Sequence, residues 1–301
     1  MFTANLILFI LTASFGAFSI FLYVTTDIVI IRYRKQFDSS FFQLYFYESI
    51  LNMILYSINF FSMRLSSLAT ENSFLGRFYA SLDNDIFLNF ILGMRYHMAF
   101  VQYATISIIS INRLSVLKNL NSEHVWKKYS LPLFVLVFCF PFIVTCVVFN
   151  SVSRFEYVRD EELYSLLSRD MKVGFIYAFL IPFMVFSMVV SFAANFISIC
   201  NVKLFLKNNS RAEINYVIIM TITCAIQLIG TIISIAIVYA GTSNTEYLKL
   251  ALPYVSELLT LVQPWLLVFF SQAIKEKMRD MLCCKVKISP VISLKEAVPI
   301  S

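Results

Sequence analysis

Charge, glycine and histidine are all scarce in this chain of 301 residues: 14% are charged, six are glycine and two are histidine. An ordinary soluble domain is about 25% charged. Here 24 basic and 18 acidic residues are bunched between long uncharged runs, which excludes most water-soluble folds. Few glycines and only seven prolines exclude collagen-like and low-complexity chains, and no repeat of fixed period is present. With His97 in an apolar run and His124 in a loop, HExxH and a histidine-paired metal site are both missing. GxGxxG, GxxxxGK[ST] and GxSxG are absent as well, so no catalytic set, metal or cofactor is expected, and the chain does not read as an enzyme.

What the chain has in excess is apolar length, with 59% hydrophobic and 16% aromatic residues. A bilayer core about 30 Å thick needs roughly 20 apolar residues of helix. Seven windows meet this, over 5–31, 41–63, 86–112, 131–150, 173–201, 214–240 and 250–270. Barrel strands would alternate polar and apolar residues over about 10 positions, so helices are the reading. The expected fold is an all-α membrane protein, a seven-transmembrane helix bundle. The first run lacks a basic leader and is about twice the length of a signal-peptide core, so it reads as a retained span.

Basic residues orient the bundle. None precedes the first span, while Arg32, Arg34 and Lys35 follow it directly, which places the amino terminus outside. The loops after spans 1, 3 and 5 and the 271–301 tail then hold 16 of the 24 basic residues, the outer segments seven, and one, Arg95, lies within a span. Arg64 counts among the outer seven. The net charge of +6 thus belongs to a cytoplasmic face against the lipid bilayer and does not indicate a nucleic-acid partner.

No loop is long enough for a separate domain, so function is expected within the bundle or at its faces. The outer segments 64–85 and 151–172 mix aromatic and charged residues and read either as lids or as plain connections. None of the six cysteines falls in an outer loop, so no extracellular disulfide is expected. Ser271 to Leu282 suits a short amphipathic helix after the last span, with Cys283 and Cys284 as juxtamembrane palmitoylation candidates. The sequon at Asn208 falls on the inner side and is expected to be unused.

Ionisable groups at membrane depth cost roughly 2.5–3.5 kcal/mol each on insertion. Asp27 is near the inner end of span 1, within expected reach of interfacial water or Arg32 and Arg34. Glu48, near Asn52, is expected in a polar cluster with span 3. Arg95 lies roughly 13 Å below the outer end of span 3 and Glu257 roughly 10 Å below that of span 7. These matched depths call for a bridge, a bound anion at Arg95 or a water-filled cavity. Arg95, Gln102 and Arg113 share one face of span 3, since 18 residues are five whole turns. His97 is about 200° round from Arg95 and is the weaker ligand candidate. By depth and polarity a small-molecule ligand in the outer half would meet Asn89, Arg95, Tyr177, Gln227, Tyr254 and Glu257. Walls of this kind suit a small, largely apolar ligand with one anionic group.

Span 3 reads His97-Met98-Ala99-Phe100 and ends Ser107-Ile108-Ile109-Ser110-Ile111-Asn112-Arg113-Leu114-Ser115. With Tyr33-Arg34-Lys35-Gln36-Phe37, Ser40-Phe41-Phe42, Asn52, Arg64-Leu65 and Gln263-Pro264-Trp265-Leu266-Leu267, this resembles the nematode serpentine receptor class gamma (Srg) family over essentially the whole chain. The resemblance implies a seven-helix, GPCR-like chemoreceptor of odorants or pheromones in the plasma membrane of sensory neurons, at their cilia, coupled to a heterotrimeric G protein. It also implies that Asn112 and Arg113 sit at the coupling face. Asn112 stands where rhodopsin-like receptors have an acid beside the arginine, so a local Asp–Arg lock is missing. The alternative is a transporter or ligand-gated channel using Arg95 and Glu257 as pathway charges. No inverted repeat supports it.

Overall fold

A computed structural model describes residues 2–82, 85–119, 121–158, 163–168, 173–205, 211–239 and 246–282. Cys283, Cys284 and the sequon at Asn208 lie outside them. Five α-helices among the described residues are each long and apolar enough to cross a bilayer: α1 (Phe2–Arg32), α4 (Asp85–Lys118), α7 (Val173–Phe205), α8 (Arg211–Tyr239) and α9 (Glu246–Phe270). A sixth crossing is made if α5 (Ser122–Cys139) and α6 (Phe142–Phe149) count together. The chain bends by 43° between them, so the span expected over 131–150 is a broken one. Pro141 is the reason, because it has no N–H to continue the ladder and its ring crowds the preceding turn.

The second expected span is α2 (Ser40–Asn59), which runs on into a π-helical turn, Phe60–Leu65, and a 3-10 turn, Ser66–Leu68. Its hydropathy falls short of a lipid-facing helix because Ser40, Glu48, Ser49 and Asn52 are buried against neighbouring helices. A short α3 (Phe74–Ser81) follows, started by Ser73, whose hydroxyl accepts from the Gly76 N–H. The last element, α10 (Gln272–Leu282), is the amphipathic helix expected after span 7. It packs on α1 and α9 through Ile274 and Met278, and Lys277 lies over the Tyr33 ring.

The all-helical expectation has one exception. Residues expected in an outer connection form an antiparallel hairpin, β1 (Ser153–Val158) and β2 (Leu163–Ser168), in register with Phe155 opposite Leu166. Phe155, Tyr164 and Leu166 turn inward, and Phe155 meets Tyr79 at 4.5 Å between ring centroids. Tyr79 is itself fastened by its hydroxyl donating to the Phe61 carbonyl at 2.7 Å, and burial pushes its phenol above the usual range. The hairpin therefore caps one end of the bundle and α10 marks the other.

Helix α4 is the axis, packed against α2, α5, α6, α7 and α8. One apolar cluster, with Leu88, Met98, Val101 and Ile176, fills the hairpin end. A second, with Tyr23, Phe41, Ile106 and Leu267, fills the α10 end. Apolar contact gains little over lipid, so helix pairing in a membrane needs close packing and polar contacts. Between α4 and α7 these are present: Ser107 donates to the Ser187 carbonyl at 2.8 Å and meets the Ser191 hydroxyl at 2.9 Å, and the Asn195 amide donates to Ser110 at 3.2 Å. Outward, Phe175, Phe179, Phe186, Phe192 and Phe196 line the exposed side of α7, as a lipid-facing surface requires.

Candidate functional site

A cavity of about 550 Å³ opens within the hairpin end. Its walls come from α2, the π-helical turn, α4, α7, α8 and α9, and Leu167 of the hairpin closes part of it. Among the described residues the polar groups facing it are few: Asn59, Arg95, Tyr96, Gln102, Tyr103, Tyr177, Ser234, Ser256 and Glu257. The rest of the lining is apolar, including Leu55, Met63, Leu180, Met184, Ile237, Leu252 and Leu259. A mostly apolar concavity with a few convergent polar groups is the usual form of a small-molecule site.

Three of the six residues expected to meet a ligand line this cavity: Arg95, Tyr177 and Glu257. The other three are used differently. The Asn89 side-chain carbonyl accepts from the Ser153 N–H at 2.8 Å and so ties α4 to the hairpin. Tyr254 turns to stack under a guanidinium, 3.8 Å from ring centroid to the Arg64 carbon. The Gln227 side chain is fully buried off the cavity wall, and its amide finds no hydrogen-bond partner among the described residues.

Arg95 and Glu257 do not bridge. Glu257 is taken by Arg64, whose Nε donates to one carboxylate oxygen at 2.5 Å and whose terminal nitrogen donates to the other at 2.7 Å. Arg64 was expected in an outer segment. The π-helical turn brings it back, because α2 continues helically past Asn59 and the wider turn aims Met63 and Arg64 at α9. Among the described residues Arg95 has no carboxylate within ion-pair distance and no hydrogen bond. It lies in electrostatic range of the Tyr96 and Tyr177 phenols, whose rings meet edge-on at 6.3 Å.

Below the cavity a polar chain leads towards the α10 end. The Gln102 amide donates to Thr260 Oγ1 at 3.1 Å and to Asn52 Oδ1 at 3.3 Å. Asn52 donates to the Tyr23 hydroxyl at 3.0 Å, and Tyr23 donates to the Thr260 carbonyl at 2.6 Å. Glu48 has its partner in α9 and not in span 3, accepting from Gln263 at 2.5 Å. Asp27 is buried and accepts from Ser49 at 2.7 Å, so it does not reach the interface as expected; the turn of α1 that carries it faces α2. His97 packs 4.0 Å from Phe142 between ring centroids and shares a hydrogen bond of 3.0 Å with Thr145, at the corner where the chain breaks. That is a packing role between α4 and α6.

At the foot of the same α4 face, Arg113 is almost fully buried. Its Nε and one terminal nitrogen donate to Asn112 Oδ1 at 3.0 and 2.7 Å, and its guanidinium lies over the rings of Phe41 at 4.8 Å and Tyr216 at 5.6 Å. Asn112 in turn donates to Ser40 Oγ at 2.8 Å, and Ser40 Oγ donates to Glu123 at 2.7 Å. The side chain expected to be freed at a coupling face is here held by a neutral amide and two aromatic rings.

The sequence model of the family described as Srg family chemoreceptor matches residues 9–278. The chain belongs to the Srg family. It is similar to serpentine receptor class gamma-31 of Caenorhabditis elegans, 23% identical over 281 residues, covering 89% of each chain. This Srg chain is therefore a multi-pass membrane protein of a chemosensory receptor family, and the family is one of receptors and not of enzymes. The ligand contacts expected from sequence omit the polar cavity residues Asn59, Tyr96, Gln102, Tyr103, Ser234 and Ser256, and also Arg64, which pairs with Glu257 of the wall. For this Srg chain the one signal was the position of Met63-Arg64 at the end of an apolar run, where a turn more or less of helix decides which side of the interface a cation occupies.

Proposed function

We propose that the protein is a G-protein-coupled chemosensory receptor in which a small molecule of odorant or pheromone class occupies the cavity at the hairpin end. Binding shifts the bundle towards a state that frees Arg113 for a heterotrimeric G protein at the α10 end. The hairpin end is then outside, the bundle crosses the bilayer seven times with α2 as the second span, and the site of action is the sensory-neuron plasma membrane. The observation that carries this is one continuous face of α4, on which Arg95 and Gln102 meet the cavity and Arg113 closes the opposite end. A ligand that pulls on Gln102 disturbs the Asn52, Tyr23 and Thr260 contacts that hold α1, α2, α4 and α9 together. Acylation of Cys283 and Cys284 would pin α10 to the membrane surface beside the coupling face.

The deciding experiment reconstitutes the purified receptor in nanodiscs with heterotrimeric G proteins and screens small volatile and pheromone-like compounds for nucleotide exchange. A compound that accelerates exchange, with the response lost in Arg113→Ala while ligand binding persists, is the expected result. Ligand-evoked ionic current in liposomes without any G protein, and no exchange with any G protein, would assign the protein to the transporter or channel class instead.

A further inference from the structure

Among the described residues the charges around the cavity do not balance, and the imbalance has one sign. Glu257 is the acid on the wall and both its oxygens are occupied by Arg64, which Tyr254 backs from its other face. That trio is a closed, neutral unit. Arg95 faces the same space from α4 with no acid and no hydrogen bond among the described residues, only the Tyr96 and Tyr177 phenols beside it. A guanidinium cannot shed its proton to escape this, and a cation in an apolar enclosure at membrane depth is costly until an anion meets it. The remaining volume is lined by aliphatic side chains such as Leu55, Leu180, Leu252 and Leu259.

We infer that the cavity selects a singly charged carboxylate amphiphile, with Arg95 receiving the carboxylate bidentately and the aliphatic wall receiving its apolar body. This rests on the cavity being the ligand site of the proposed receptor. The planar fork of Arg95 matches two carboxylate oxygens, and the Tyr96 and Tyr177 phenols line the same space. An amine meets the wrong charge at Arg95 and finds Glu257 already paired. A neutral alcohol leaves the guanidinium buried and unneutralised. The selectivity is thus set by Arg95 alone, with the Arg64–Glu257 pair acting as wall and not as anchor.

The test uses straight-chain carboxylic acids of about six to twelve carbons, with the matched alcohols and amines, as probes of cavity-sized length. Binding to the purified receptor in nanodiscs is read by thermal shift and by competition between probes. Carboxylates are expected to stabilise the protein, alcohols and amines of equal length to bind about tenfold to a hundredfold more weakly. Arg95→Gln should abolish the difference, and Arg95→Lys should retain part of it, since the charge stays and the fork is lost. A second reading needs no probe: without ligand, Arg95→Met should raise the melting temperature, while Glu257→Gln should lower it. Equal binding of alcohols or amines, carboxylate binding unaffected by Arg95→Gln, no carboxylate binding at any length, or a fall in melting temperature for Arg95→Met each overturns the assignment. Nucleotide exchange is measured separately. Exchange driven by a non-acidic compound defeats the carboxylate and leaves the receptor standing, whereas acid binding through Arg95 with no exchange by any G protein does the reverse.

Discussion

Two arginines on one face of α4 receive opposite treatment. Arg95 faces the cavity with no ion pair or hydrogen bond among the described residues, while Arg113, five turns further on, is held by contacts that include Asn112, Phe41 and Tyr216. Both are cations in an apolar bundle, and among the described residues no carboxylate lies within ion-pair distance of Arg95. At the hairpin end the guanidinium faces the cavity, where we propose that a ligand anion meets it. At the α10 end the Asn112 amide and two ring faces hold the guanidinium. Cation–π contacts contribute about 0.5–2 kcal/mol each, so the Phe41 and Tyr216 rings supply a measurable share of what holds Arg113. In the receptor we propose, a ligand would supply about 1–3 kcal/mol of coupling to overcome such contacts.

The comparison breaks first at the wall beside Arg95. Glu257→Ala leaves Arg64 without its carboxylate and is expected to destabilise the protein by about 3 kcal/mol. The Arg64→Ala, Glu257→Ala double variant should recover much of that. Unfolding in detergent over the full double-mutant cycle measures the coupling, and additive losses would show that the pair is not a unit.

At the other end, Asn112→Asp sets a carboxylate against Arg113 and is expected to deepen the off state by about 1–2 kcal/mol, lowering basal nucleotide exchange roughly tenfold. Phe41→Ala should act in the opposite direction by about 1 kcal/mol, raising basal exchange several-fold with ligand binding unchanged. If Asn112→Asp raises basal exchange, the clamp at Arg113 is not what holds the off state.

A smaller effect tests the cap. Asn89→Ala removes the acceptor for the Ser153 N–H and should loosen the hairpin, at about 1 kcal/mol of stability, with faster hydrogen exchange confined to 153–158 and 163–168. Exchange that is unchanged there would mean that Phe155 and Tyr79 alone hold the hairpin down.

Much of this architecture is legible in the residues themselves. Apolar runs with few charges specify α1, α4, α7, α8 and α9, because a bilayer accepts little else. The five-turn spacing of Arg95 and Arg113 puts them on one face whatever surrounds the helix. Other features depend on contacts between distant segments. The hairpin strands are six residues each, and their alternation at Phe155, Tyr157, Tyr164 and Leu166 acquires a direction only when Tyr79 and α4 are there to be covered. Pro141 sits inside the apolar run over 131–150, and composition alone does not say whether a proline kinks a span or breaks it. Asp27 and Glu48 chose Ser49 and Gln263 as partners, which a list of charges and depths does not rank.

The sequence by itself thus determined the solvent of this protein, the direction of its charge asymmetry, its family and the shared face of α4. These follow from hydropathy and helical period, which are local properties. Tertiary structure decided the pairing of Glu257. A π-helical turn at Phe60–Leu65 and the approach of α9 put Arg64 within 2.5 Å of that carboxylate, and only after this partner is assigned is Arg95 left over. Ion pairing is a competition among all the cations that can reach one acid, and it is settled by distance in the folded bundle.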